Sequence, residues 1–135
     1  MADLKKVLHV DDDEDIRVIA GMALEAVGSL TVCPCESGPD ALQKAPDFQP
    51  DLFLLDYMMP GMDGEETAKQ LHAISGLESV PVVFMTARVQ GDVTRTLLDN
   101  GAIGVISKPF DPMTLADQLA AIWEKFQRRS PGQGV

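Results

Sequence analysis

Short apolar runs that end on polar residues recur along the chain, and segments with apolar residues at helical spacing separate them. The clearest run is Leu52–Leu55, which follows Pro50 and ends at Asp56. A run that is apolar on both faces is typical of a strand in the middle of a parallel sheet. Further strands are predicted at 7–10, 30–36, 81–86 and 103–107. Pro34 indicates that the strand at 30–36 lies at a sheet edge, because proline cannot donate a ladder hydrogen bond.

Five helices are predicted between and after these strands, because apolar residues recur there at the spacing of one helical face. They cover about 14–27, 39–44, 64–75, 93–99 and 112–127. Strands that alternate with helices pair in parallel and are joined by right-handed crossovers. With 135 residues, the chain is predicted to form one α/β domain over residues 1–128, and residues 129–135 are predicted to form a flexible tail.

The acidic composition narrows the classes of partner. The formal net charge is −10, and such a surface repels nucleic acid and anionic lipid. No apolar run approaches the roughly 20 residues of a membrane helix, and the N-terminus becomes acidic too early for a signal peptide. We therefore expect a cytoplasmic protein with protein partners, no nucleic acid and no membrane. Cys33 and Cys35 are expected to be reduced thiols.

Polar side chains follow four of the five predicted strands. These residues are Asp11–Asp12–Asp13, Asp56, Thr86 and Lys108. The carboxyl ends of parallel strands meet at one edge of a sheet, where ligands usually bind. Carboxylates at roughly 5 Å repel one another by about 3 kcal/mol at an effective dielectric of about 20. Lys108 or a divalent cation is expected to compensate, and an all-oxygen site with few protein ligands suits Mg²⁺ better than Ca²⁺.

This set of groups is suited to phosphoryl transfer. An ionised strand-end carboxylate is already a nucleophile, while a lysine, a hydroxyl and Mg²⁺ neutralise the phosphoryl oxygens. Aspartate is also favoured as a helix N-cap. One of the three aspartates after the first strand can therefore have a structural task. Asp13 is interpreted as the cap of the first helix. His9, on a predicted central strand, is interpreted as a packed core residue.

Four segments resemble, in order and spacing, the receiver domain of two-component response regulators: VLHVDDDED, LLDYMMPGMDG, VVFMTAR and GVISKPF. The resemblance covers about residues 4–127. It implies a flavodoxin-like (βα)5 three-layer sandwich with a parallel five-stranded sheet of order 2-1-3-4-5. It also implies a cis peptide bond between Lys108 and Pro109.

The resemblance also implies a role for each residue of the set. Asp56 would be the phosphoacceptor, Asp12 a direct Mg²⁺ ligand, Asp11 a ligand acting largely through water, the Met58 carbonyl a further ligand, Thr86 the switch hydroxyl, and Lys108 the phosphate-binding lysine. The sequence departs from the family at Val105, where a tyrosine or phenylalanine is usual. We therefore expect movement of the loop at 86–92 to carry the signal.

These expectations describe a stand-alone response regulator. A histidine kinase or a histidine phosphotransfer protein would phosphorylate Asp56, and contacts with a downstream protein would change, with a homodimer as one possible product of phosphorylation. The chain would not be an enzyme beyond its own phosphorylation and autodephosphorylation. Two alternatives remain open: a Mg²⁺-dependent phosphatase with an aspartate nucleophile, and a receiver-like interaction module that is not phosphorylated.

Overall fold

The computed structural model describes residues 3–87 and 91–129, and within them five strands alternate with five helices. The strands are β1 (Lys6–Val10), β2 (Thr31–Cys35), β3 (Leu52–Asp56), β4 (Val82–Thr86) and β5 (Gly104–Ser107). The helices are α1 (Glu14–Ala26), α2 (Gly38–Phe48), α3 (Gly64–His72), α4 (Gly91–Asp99) and α5 (Leu115–Arg129). The alternation predicted from the sequence is therefore confirmed.

The sheet is parallel throughout and has the strand order β2-β1-β3-β4-β5. Every residue of β3 and of β4 is buried, as expected for central strands covered on both faces. Pro34 lies on β2, the edge strand next to β1, where its missing N–H leaves no ladder bond unmade. The predicted fold class is confirmed, and the Lys108–Pro109 bond is cis.

Two apolar cores lie on opposite faces of the sheet, so the molecule has three layers. One core joins the sheet to α2, α3 and α4, and large side chains such as Phe53 and Leu71 fill it. The other joins the sheet to α1 and α5 through residues that include Leu24 and Leu119. Cys33 and Cys35 on β2 are free thiols, as predicted.

The predicted end of α2 at residue 44 is wrong, because the helix continues through Pro46 to Phe48. Proline usually ends a helix, but here tertiary contacts stabilise the last turn. Phe48 packs against the core that joins the sheet to α2, α3 and α4, and the Lys6 ammonium lies 5.5 Å from the centroid of the Phe48 ring. Gln49, with a left-handed φ of 56°, closes the helix.

The other helices differ from their predicted bounds by one to three residues at an end. The third helix ends at His72 instead of continuing to residue 75, and the fifth begins at Leu115 instead of near residue 112. Among residues 3–87 and 91–129, none of the helices has the length and apolar character needed to cross a bilayer. Positions 88–90 of the loop expected to carry the signal, and 130–135 of the expected tail, lie outside the described residues.

Candidate functional site

Asp56 is the last residue of β3, the middle strand of the sheet, and the residue is only 4% exposed. The ladder to β4 continues one residue further, since the Tyr57 N–H donates to the Met85 carbonyl at 2.9 Å, and the Tyr57 carbonyl accepts the Gly64 N–H at 3.0 Å. Helix α3 begins against the end of β3, and a Cβ at Gly64 would collide with the Asp56 carbonyl oxygen. Only glycine lets the helix start this close to the backbone of Asp56 and Tyr57.

Asp11 and Asp13 have different tasks in the turn after β1. Asp11 is fully buried, and its Oδ1 accepts the Asp13 N–H at 2.9 Å. Asp13 caps α1 by accepting the N–H groups of Asp15 and Ile16, which confirms its interpretation as an N-cap. Asp12, between them, is exposed. The turn therefore leaves the Asp11 and Asp12 carboxylates facing Asp56.

Lys108 follows β5 and links two of the carboxylates. Its N–H donates to the Thr86 carbonyl at 2.9 Å, which aligns the ends of β4 and β5. Its Nζ lies 3.1 Å from Asp11 Oδ2 and 3.3 Å from Asp56 Oδ1. Burial would lower the pKa of Lys108, but the hydrogen bonds and charges of Asp11 and Asp56 outweigh it and raise the pKa. The ammonium is therefore held in its charged form between the two acids.

The Asp56 carboxyl group has a pKa raised to about 6. Burial is the main cause, and the Asp11 charge adds to it. The Lys108 ammonium and a hydrogen bond from the Met58 N–H oppose the shift without cancelling it. The Asp56 carboxyl group is thus ionised at neutral pH but protonated in mild acid.

The acidic cluster has the composition of a site for a divalent cation. Asp11, Asp12 and Asp56 each offer a carboxylate oxygen, and the three oxygens lie within 4.8 Å of one another. Among residues 3–87 and 91–129, Lys108 is the cation that forms ion pairs with this cluster, through Asp11 and Asp56, so the three carboxylates and this lysine carry two net negative charges. Oxygen-only ligands of this charge fit a hard divalent ion such as Mg²⁺, which keeps several waters. The residues present therefore fit the predicted metal.

All six residues predicted for the site line one open cleft of about 250 Å³. They are Asp11, Asp12, Asp56, Met58, Thr86 and Lys108. Thr86 is 1% exposed, whereas the Met58 side chain is 65% exposed at the rim. Larger cavities lie between α1 and α5 and beside α3, but neither contains these acids. The structure brings the set together, while the roles assigned to its members stay predictions.

Three residues that line or support the cleft were not predicted from the sequence: Ile16, Ala87 and Arg17. Ile16 and Ala87 line the cleft. Arg17 Nη1 donates to the Asp11 carbonyl at 2.7 Å, so this side chain holds the β1–α1 turn that carries the acids. The sequence carried no local signal of this contact, because it depends on how α1 sits over the turn.

The comparisons with known proteins agree with this geometry. The sequence model described as response regulator receiver domain matches residues 7–120. The phosphate regulon transcriptional regulatory protein PhoB of Pseudomonas aeruginosa is 35% identical over 128 residues, covering 95% of this chain and 54% of that protein. The transcriptional regulatory protein CseB of Streptomyces coelicolor is 34% identical over 133 residues, covering 98% and 55%.

Solved structures show the same fold. The chemotaxis protein CheY4 of Vibrio cholerae superposes with a TM-score of 0.80 at 30% identity, covering 88% of this chain and 98% of that one. A CheY-like receiver domain protein of Methanospirillum hungatei gives 0.74 at 27% identity, covering 93% and 98%. The chain spans about half the length of the curated relatives it matches. From the matched residues and the shared fold, the chain belongs to the response regulator receiver domain family.

Proposed function

We propose that the chain accepts a phosphoryl group on Asp56 from the phosphohistidine of a kinase or phosphotransfer protein, and that this changes its protein contacts. The observation that carries the proposal is the meeting of three carboxylates and one lysine, from three strand ends, in one cleft. The Lys108 ammonium lies between Asp11 and Asp56, within 3.3 Å of a carboxylate oxygen of each, and Asp12 completes the group.

In the proposed reaction, a carboxylate oxygen of Asp56 attacks phosphorus, and an acyl phosphate forms. The bond from phosphorus to the donor histidine breaks, and its electron pair stays on the ring nitrogen. Lys108, already within 3.3 Å of Asp56 Oδ1, would neutralise a phosphoryl oxygen. The Thr86 hydroxyl would donate to another. No general base is required, because Asp56 is ionised above its pKa of about 6.

Mg²⁺ would be held by Asp11, Asp12, Asp56 and the Met58 carbonyl. When bound, it supplies positive charge that stabilises the transferring phosphoryl oxygens. The remaining contribution belongs to the chain: Asp11 and Lys108 position the nucleophile, and burial of Asp56 excludes water from one of its sides.

The proposed phosphodonor needs a surface beside the cleft, and α1 offers one. Val18, Ile19 and Met22 are exposed on this helix, and Ile16 of the same helix lines the cleft. Exposed apolar residues next to a reactive group favour a protein partner. A helix surface of this kind suits a donor that brings its histidine to Asp56.

The proposal includes no turnover of external substrates. A downstream protein partner, a cytoplasmic location and a homodimer formed on phosphorylation belong to it as predictions. The names of the two curated relatives describe transcriptional regulatory proteins, so the stand-alone state and the absence of nucleic-acid contacts are predictions as well. Size-exclusion chromatography with and without beryllofluoride tests the homodimer.

The decisive experiment is labelling with acetyl phosphate in the presence and absence of Mg²⁺, followed by intact mass measurement. We expect one added phosphoryl group on the wild type with Mg²⁺, and none on Asp56→Asn. Asp47→Asn, an exposed acid on α2, is the matched control and should label like the wild type. Labelling of Asp56→Asn would contradict the proposal.

Two further readouts separate the alternative functions. Steady hydrolysis of a phosphomonoester that depends on Asp56 would assign the chain to the aspartate-nucleophile phosphatases. Absence of both labelling and Mg²⁺ binding in the wild type would assign it to unphosphorylated interaction modules.

A further inference from the structure

A second cavity lies between α1 and α5, away from the acidic cluster. It has a volume of about 540 Å³, within the usual range of ligand-binding clefts. Leu4 and Leu30, which precede β1 and β2, contribute to its walls. It therefore opens at the amino ends of the strands, whereas Asp56 lies at a carboxyl end. We call this cavity the α1–α5 groove.

The sizes of the residues on the two helices explain the groove. At one end the turn after α1 packs closely on α5, since a Cβ at Gly28 would lie 2.9 Å from the Ala116 Cβ. One turn further along α5, Ala120 is too small to fill the space, and Trp123 forms the next wall. Trp123 also packs against the α1–α5 core and stacks at an angle on Phe126, with ring centroids 6.0 Å apart. The groove is thus built from firmly packed elements.

The lining combines apolar side chains with exposed acidic ones, and we call the acidic residues the acidic rim. Leu4, Val27, Leu30 and Trp123 supply the large apolar side chains. Val27 is 46% exposed, so part of this surface faces water. Asp3, Asp117 and Glu124 add acidic groups, and no lysine, arginine or histidine in the described part of the chain lines the groove.

In the part of the chain that the structure describes, one ion pair involves an acid of this rim. Arg128 Nη1 approaches Glu124 Oε1 at 3.8 Å, and both side chains are about two-thirds exposed. Such an exposed pair contributes little, so a partner's cation can compete for Glu124. The rim therefore remains acidic overall.

We propose that the α1–α5 groove binds a basic amphipathic helix of a partner protein, with apolar side chains in the groove and lysine or arginine against the acidic rim. A helix presenting residues at i, i+3, i+4 and i+7 suits such a groove. The acidic rim repels nucleic acid and anionic membranes. It also disfavours a second copy of this chain, whose net charge is −10. The inference does not rest on the phosphorylation of Asp56.

The test uses a synthetic peptide of leucine and lysine, patterned as an amphipathic helix and free of tryptophan. Trp123 is the chain's one tryptophan, so its fluorescence reports directly on the groove. We expect a saturable spectral change with this peptide. A scrambled peptide of equal composition, and one with glutamate replacing lysine, should bind at least about tenfold more weakly.

Two single substitutions on α5 provide a matched pair. Ala120→Lys puts a cation into the groove, whereas Ala121→Lys puts it on the exposed surface next to it. Both are compatible with a helix, and circular dichroism confirms folding. Measured by calorimetry, Ala120→Lys should weaken peptide binding at least about tenfold, and Ala121→Lys should leave it within about twofold.

A charge-matched pair tests the acidic rim. Asp117→Asn with Glu124→Gln should weaken binding and reduce its salt dependence more than Asp47→Asn with Asp99→Asn, which removes the same charge elsewhere. Equal binding of the scrambled peptide, or unchanged binding by Ala120→Lys, would overturn the proposal. Concentration-dependent dimerisation of the free chain that Ala120→Lys removes would assign the groove to a second copy and overturn it as well.

Discussion

At the scale of single residues, the buried Asp56 makes the candidate site destabilising to the fold. Its pKa is raised to about 6 by burial and by the Asp11 charge, whereas the unfolded chain ionises it near 3.9. Above about pH 6 Asp56 is ionised in the folded chain, and its ionisation there costs more free energy than in the unfolded chain. The resulting loss in the free energy of unfolding is largest above that pH and declines as the pH falls from about 6 to about 4.

Replacement of Asp56 by asparagine should remove this loss. Without metal, we expect Asp56→Asn to raise the free energy of unfolding by about 1–3 kcal/mol at pH 7.5. The gain should shrink as the pH approaches 4. Urea unfolding of both proteins in EDTA across this range gives the measurement. A variant less stable than the wild type at pH 7.5 would contradict the pKa assigned to Asp56.

His9 has the opposite pH dependence. It is fully buried on β1, and neither ring nitrogen has a hydrogen-bond partner among residues 3–87 and 91–129. Burial, followed by the charges of Lys108 and Arg17, lowers its pKa to about 4. The fold therefore holds a neutral ring, and stability is lost as the pH falls from about 6.5 towards 4.

His9→Leu should remove this loss. At pH 5 we expect the variant to exceed the wild type by about 2 kcal/mol in the free energy of unfolding from the titration alone, and the difference should be smaller at pH 7.5. His72→Leu is the control, because His72 is only half-buried and its Nε2 contacts the Val80 carbonyl at 2.8 Å. An unchanged difference between pH 5 and pH 7.5 for His9→Leu would contradict the assigned pKa.

At the scale of elements, α1 joins the candidate site to the surface proposed for the phosphodonor. Asp13 fixes the start of the helix and Arg17 holds the turn before it. The opposite side of the same helix packs on the sheet through Ala20 and Leu24. This anchoring leaves Ile19 at 44% exposure, on a rigid support beside the cleft.

Ile19→Gln should therefore slow phosphotransfer from the cognate histidine protein by roughly tenfold or more and leave labelling by acetyl phosphate unchanged. The small donor needs only the cleft, whereas the protein donor needs the helix. Leu98→Gln on α4 is the control, because Leu98 is equally exposed at 43%. An equal loss with both donors would indicate damage to the site itself.

The helices and strands also show how much of the fold could be predicted from the sequence alone. The strands were predictable because they are short, mostly apolar runs, four of which are followed by a polar residue of the site, and the convergence of the acids followed from parallel pairing. The end of α2 could not be predicted, because Pro46 predicts the end of the helix, whereas the packing of Phe48 stabilises one further turn. The support that Arg17 gives to Asp11 depends on how α1 sits over the turn, which no local pattern specifies.

Two aromatic side chains, Tyr57 and Phe84, lie close to Asp56 and Thr86 along the chain. Phe84 of β4 pairs with Val105 of β5, where the family usually has a ring. Its own ring meets that of Tyr57 edge-on, with centroids 6.1 Å apart. Tyr57 directly follows Asp56, so in this chain the aromatic contact lies at the end of β3 instead of on β5.

At the scale of the whole molecule, acidic groups outnumber basic ones by 21 to 11, and carboxylate oxygens of Asp11, Asp12 and Asp56 converge to within 4.8 Å of one another. General salt screens charges across the surface, but a bound ion acts only where ligand oxygens converge. Mg²⁺ should consequently stabilise the fold beyond what screening achieves. At a free concentration ten times the dissociation constant, the gain is about 1.4 kcal/mol.

For a chain of this size, that gain corresponds to a rise of about 4 °C in melting temperature. We expect this rise with MgCl₂ at pH 7.5, little change with NaCl of equal ionic strength, and a weaker effect below pH 6, where Asp56 takes up a proton. Asp12→Asn should lose most of the response, and Asp47→Asn should keep it. Differential scanning calorimetry makes the comparison. An equal response of Asp12→Asn and the wild type would show that Mg²⁺ acts elsewhere than at the three carboxylates.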